Sequence, residues 1–182
     1  MKPRYGTLIK PLGQEYNNET TISGVTLINN TSIEDVDYVN RIGVVVSTRD
    51  NSTLQKGDLV VVHHNVFRTY YDMKGNKRKS NEYIRDNLYL VYDDKIYMYY
   101  RNNQWNTHND YCFVKPIDYQ QDELLHRVDV QEEEHVGIIK YINHDYLKPG
   151  DKVAFTKNSE YKFTIDDQKL YRMKNKDICI LF

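Results

Sequence analysis

Short runs of β-branched and aromatic residues recur along this chain, separated by clusters of Gly, Pro, Asn and Asp. Gly43-Val44-Val45-Val46, Leu59-Val60-Val61-Val62, Leu88-Tyr89-Leu90-Val91, Phe113-Val114, Gly137-Ile138-Ile139 and Ile178-Cys179-Ile180 are examples. Runs of this length, punctuated by turn residues, predict strands, and many short strands predict a sandwich or a barrel. Nothing in the chain sustains a helical period. The 17 tyrosines and the lone alanine, Ala154, point the same way, because long helices draw on small and straight-chain residues.

The pattern repeats. Leu8-Ile9-Lys10-Pro11-Leu12 matches Phe113-Val114-Lys115-Pro116-Ile117, and Gly43-Val44-Val45-Val46 matches Gly137-Ile138-Ile139-Lys140. Leu54-Gln55-Lys56-Gly57-Asp58 matches Leu147-Lys148-Pro149-Gly150-Asp151, with a β-branched run after each. Leu88-Tyr89-Leu90-Val91 followed by Ile96-Tyr97-Met98 matches Leu170-Tyr171-Arg172-Met173 followed by Ile178-Cys179-Ile180. The offset is 105 residues from Leu8 to Phe113, 94 from Gly43 to Gly137, 93 from Leu54 to Leu147 and 82 from Leu88 to Leu170. Four landmarks in one order predict an internal duplication. The offset falls in two steps, so the first copy carries two extra stretches. One lies between the first and second landmarks, the other between the third and fourth. The modules are placed at residues 1–104 and 105–182, joined by the polar stretch Arg101 to Asp110.

Each landmark has a physical reading. Pro11 and Pro116 cannot donate to a ladder and mark an edge or corner. Gly43 and Gly137 open strands that are buried on both sides or sit at a barrel corner. The Gly-Asp pairs supply a reversal before the next strand.

Charge narrows the function classes. A formal net charge of −1 gives no global field toward nucleic acid or an anionic membrane. No apolar run approaches a membrane span, and the start, Met1-Lys2-Pro3-Arg4-Tyr5-Gly6, lacks a signal-peptide core. The expected compartment is cytoplasmic. Sequons at Asn18, Asn30 and Asn51 read as chance matches, and Cys112 and Cys179 read as reduced and buried, with a disulfide between them left open. Richness in Asn, Lys, Tyr and Ile suggests an AT-rich coding genome, bacterial or phage.

The order of landmarks resembles the GroES-type co-chaperonin family. The pieces are Ile9-Lys10-Pro11-Leu12, a long loop from Gly13 to Asn40, Gly43-Val44-Val45, Lys56-Gly57-Asp58 and the strands near Leu88 to Met98. The second copy matches from Leu147 to Phe182. The resemblance implies an all-β chain of two tandem GroES-like small β-barrels with long loops. It also implies a non-enzymatic protein that docks on a larger ring through an apolar loop tripeptide preceded by Gly. Gly24, Val25, Thr26 and Leu27 stand at that place, with Thr26 more polar than the family's usual middle residue. The other reading of Val25-Thr26-Leu27-Ile28 is a plain strand. The second copy's shorter loop, from Asp118 to Val136, has no glycine and ends in Glu132-Glu133-Glu134. The expected partners are proteins: a chaperonin ring or, in the alternative, phage structural proteins of a head–tail ring or connector, with this chain a homo-oligomer.

Three further features bear on function. Tyr70 to Lys79, with Gly75-Asn76 at its turn, predicts a projecting hairpin whose Lys74, Lys77, Arg78 and Lys79 make a basic tip. A solvated or intersubunit hairpin, partnered by the acidic run, is favoured over nucleic-acid binding. His63-His64 follow a strand and are expected on opposite faces, so they make no joint metal site. Tyr97, Tyr99, Tyr100, Trp105 and Tyr111 cluster near the joint, either as an interface or as ordinary strand faces. No motif for a metal, a cofactor or a nucleophile with its base is present, so no catalytic residue is expected.

Overall fold

A computed structural model describes residues 1–16, 19–22, 25–28, 38–118, 132–166 and 168–182. Among them the chain is all-β, its only helices being single 3-10 turns at Asp93–Lys95 and Asn175–Asp177. It divides into two compact units, Met1–Gln104 and Trp105–Phe182.

The first unit contains β1 (Thr7–Pro11), β2 (Glu19–Ile22), β3 (Val25–Ile28), β4 (Ile42–Thr48), β5 (Leu59–Val62), β6 (Thr69–Tyr71), β7 (Lys77–Lys79), β8 (Tyr83–Arg85), β9 (Leu88–Val91) and β10 (Ile96–Arg101). The division falls in β11 (Gln104–Thr107), the return strand of a hairpin turned by Asn102 and Asn103, both at positive φ. The main sheet runs β11-β10-β5-β4-β1-β9-β8, and β2-β3 and β6-β7 form separate two-stranded ribbons. The two extra stretches inferred from the offsets contain these ribbons.

The second unit contains β12 (Tyr111–Asp118), β13 (Glu132–Tyr141), β14 (Lys152–Phe155), β15 (Tyr161–Ile165), β16 (Gln168–Lys174) and β17 (Ile178–Leu181). Its sheet runs β15-β16-β12-β13-β14-β17. This is the order of the first sheet read from its other end, β8-β9-β1-β4-β5-β10. Every described pairing between neighbouring strands of these sheets is antiparallel. Among the described residues no closed barrel is found.

The likeness extends to register. Pro11 faces Gly43 and Pro116 faces Gly137; Gly43 faces Val60 and Gly137 faces Val153. Leu8 faces Leu90, and Phe113 faces Arg172. A register shift breaks β1 between Leu8 and Ile9, and one breaks β12 between Phe113 and Val114. These pairs obey the offsets read from the sequence. The turns match as well. Gly57 N–H donates to the Val45 carbonyl and Gly150 N–H to Ile139, while Asp58 and Asp151 carboxylates accept the Gln55 and Lys148 N–H groups at 2.7 and 2.8 Å.

Gly43 and Gly137 are glycine for lack of room. A Cβ on Gly43 would lie 2.5 Å from Ile9 Cγ2 and 2.8 Å from the Lys10 carbonyl oxygen. On Gly137 it would lie 2.3 Å from Val114 Cγ1 and 2.7 Å from the Lys115 oxygen. A glycine in a strand permits this close approach of its neighbour. Equivalent positions then fill the cores: Ile9, Val45, Val60, Val62 and Val91 in the first unit, and Val114, Ile139, Val153, Phe155 and Met173 in the second.

Two expectations are corrected. Both cysteines are free, but only Cys112 is buried; Cys179 is exposed. Its strand lies at the rim of the sheet, so an apolar run there does not imply burial. The Cys112 thiol is pushed up to about 12, chiefly by burial. The histidines do not point apart: β5 ends at Val62, the chain turns, and the rings of His63 and His64 lie 4.1 Å apart. Strand alternation does not apply once the strand has ended.

Candidate functional site

The structured stem of the long first loop is built by Asn40, a buried polar residue that is 4% exposed. Its Nδ2 donates to the Leu12 and Gln14 carbonyls at 2.7 and 2.8 Å, and its Oδ1 accepts the Ile42 N–H at 2.9 Å. Asn40 N–H donates to Glu15 O, and Tyr16 and Val39 form a bridge. Bonding between the two ends of the loop therefore holds its exit from the sheet. Within the loop, β2 and β3 pair antiparallel, Ile22 opposite Val25, Thr21 opposite Thr26 and Thr20 opposite Leu27. Val25, Thr26 and Leu27 thus sit in a strand, whereas Gly24 lies outside the described residues.

The predicted hairpin is the β6-β7 ribbon, with Tyr70 opposite Arg78 and Tyr71 opposite Lys77. Asp72 organises its turn: the carboxylate accepts the N–H groups of Lys74 and Asn76, each at 2.9 Å, and Arg78 Nε at 3.0 Å. The Asn76 N–H leads the donors that hold the Asp72 carboxyl down at about 2. At its base, Tyr16 hydroxyl donates to the Thr69 carbonyl and accepts its N–H, both at 3.2 Å. Lys79 pairs with Glu15, which also accepts the Tyr89 hydroxyl at 2.8 Å. Burial, and then Glu15, raises the pKa of Tyr89.

These contacts divide the basic tip. Arg78 and Lys79 are engaged by Asp72 and Glu15, while Lys74 and Lys77 are exposed beside a fully exposed Met73. The acidic run expected as their partner is itself largely engaged. Glu132 accepts Lys169 Nζ and the Tyr171 hydroxyl, each at 2.5 Å, and Glu133 pairs with Lys152 at 3.2 Å. Burial works against ionisation of Glu132, but the bonds from Lys169 and Tyr171 outweigh it and lower its pKa.

The aromatic cluster near the joint is distributed between core and surface. Tyr97, Trp105 and Tyr111 are buried, and Trp105 Nε1 donates to Asp166 at 3.0 Å. Tyr99 and Tyr100 are half-buried, and Arg101 lies 4.8 Å over the Tyr99 ring while pairing with Asp58 at 2.5 Å. Among the described residues no group of three or more His, Cys, Asp or Glu is placed to hold a metal ion, and no helix is long and apolar enough to cross a membrane.

Asn40 is a residue that pattern reading missed. A polar residue beside an apolar strand carries no periodic signal of its own. The only hint was its place at the end of the long loop, where backbone carbonyls of the stem need donors. Comparison with models of known protein families finds no match, and a search of curated proteins finds no relative.

Proposed function

We propose that the chain is a duplicated GroES-like module acting as a non-enzymatic, co-chaperonin-like accessory protein. It binds a larger ring assembly through the first loop, with Gly24, Val25, Thr26 and Leu27 as the contact and the two sheets as a rigid mount. The observation that carries this reading is the repeated strand plan, with matching register, bulges and turns, from which one pinned long loop departs. A strand-forming apolar segment on a long connection suits docking by strand addition or groove insertion, with the ordering cost met by apolar anchors. The module belongs to an oligomer in this reading and acts in the cytoplasm, the host's if the protein is phage-encoded.

The test is co-purification with a bacterial chaperonin ring. Leu27→Asp is expected to abolish association while leaving the far-UV circular dichroism unchanged. Association that survives the substitution would sink the mechanism. A second reading, a phage virion component of a head–tail ring or connector, is favoured by one observation. The hairpin at Tyr70 to Lys79 is rigidly mounted and projects an exposed Met73, which suits a permanent contact in an assembly. It predicts incorporation into particles and no dependence on Leu27.

A further inference from the structure

Among the described residues no strand pairs with the outer side of β17. Among the described residues it is the last strand of its sheet, whereas the corresponding strand of the first sheet, β10, has β11 beside it. Phe182 N–H donates to the Lys152 carbonyl at 3.0 Å and so faces β14. Peptide groups alternate in direction along a strand, so the Leu181 N–H and C=O point to the open side.

The residues of this edge are unusual for one left in water. Ile178-Cys179-Ile180-Leu181 has no charge, proline or glycine, and Ile180, Leu181 and Phe182 are 54%, 53% and 67% exposed. Natural edges discourage pairing with charge, bulges or proline. The opposite edge of the same sheet, β15, carries exposed Lys162, and β8 of the first sheet ends on exposed Arg85. Those edges are defended and β17 is not. Its sequence is complementary to itself: antiparallel pairing about a two-fold axis sets apolar against apolar with no like-charge contact. A head-to-tail match to β8 or β15 would instead bring it against a charged edge.

We propose that β17 is a self-association edge, at which two copies of this chain pair β17 with β17, antiparallel, joining two six-stranded sheets into one. The site does not involve the first loop, so the proposal stands or falls separately from chaperonin docking.

Sedimentation velocity of the full chain over a wide concentration range tests it. The expected species is a dimer of twice 21.8 kDa that dissociates on dilution. Leu181→Pro removes the outward N–H, a substitution that edge strands tolerate. It should leave a folded monomer at all concentrations. Leu181→Lys keeps the N–H but sets charge against charge across the axis, and should also be monomeric; it decides the matter if the proline variant fails to fold. A wild type that stays monomeric would overturn the proposal. So would assembly that grows past the dimer, or a dimer that persists in the folded variants.

Discussion

Alanine in place of Gly137 tests whether the strands approach as closely as the sheet requires. The added methyl would meet Val114 Cγ1 at 2.3 Å and the Lys115 oxygen at 2.7 Å, both inside any tolerable contact. Val114 is buried and β-branched, so its methyl has no flexible end to swing away. The Lys115 oxygen belongs to the paired backbone of β12 and moves only with the strand. Overpacking of this kind costs about 1–3 kcal/mol, and the upper half of that range applies where backbone must yield. The loss of unfolded-state freedom on replacing glycine returns about 0.4–1 kcal/mol. The net expectation is a destabilisation of about 1–2.5 kcal/mol, or roughly 5–15 °C in Tm for a domain of this size. Trp105 is the only tryptophan, and its Nε1 donates to Asp166 at the β15-β16 turn, so its fluorescence in a urea titration reports the transition of that sheet. Adding Val114→Ala should recover part of the loss by removing the Cγ1 contact, while leaving the oxygen contact in place. A Gly137→Ala transition within about 0.5 kcal/mol of wild type, the scale of ordinary surface substitutions, would refute the reasoning.

Asn40→Ala should cost about 1–3 kcal/mol, since the partly buried bonds to the Leu12 and Gln14 carbonyls are lost together. It should also speed limited proteolysis between Tyr16 and Val39; an unchanged cleavage rate would contradict the stem's role. Asp72 should give the hairpin a pH dependence. Its folded pKa, about 2, lies below the ordinary 3.8, so its contribution is complete above that ordinary value and is lost as pH falls toward 2. The Lys74 and Asn76 amide resonances should move together over that window and stop doing so in Asp72→Asn, and amides that stay still in the wild type would count against the turn as described.

Much of the fold was legible because its landmarks are local. Pro11 and Pro116, the paired Gly-Asp turns and the two glycine-led runs each announce a backbone requirement in a few residues. The spacing between them matched the relative register of the two units, whereas the shift after Leu8 and its counterpart after Phe113 had no signal in the residues. Barrel closure was not legible, since it depends on whether distant edges meet. The candidate sites were less legible for a related reason. Whether a lysine is available depends on partners far away in sequence, as with Lys79 and Glu15, separated by 64 positions. Cys179 shows the same limit: an apolar run in a core strand and one in an edge strand read alike, and only the sheet order distinguishes them. His63 and His64 were misplaced because the strand was extended past Val62 into a turn.

The differences between the units bear more on function than their likeness does. The first unit adds two ribbons. Buried Asn40 ties together the two ends of the first loop, and half-buried Tyr16 and Glu15 with buried Tyr89 hold the base of the hairpin. Glu15 and Tyr16 stand in the stem of the loop yet bind Lys79 and Thr69 at the foot of the hairpin. The two additions therefore share one anchorage. A partner that shifts the stem would alter the base of the hairpin through these contacts, and a partner held by the hairpin would stiffen the exit of the loop. The stem of the loop and the foot of the hairpin thus form one hydrogen-bonded unit. Tyr89 is buried there despite the desolvation cost of its hydroxyl, which its bond to Glu15 offsets.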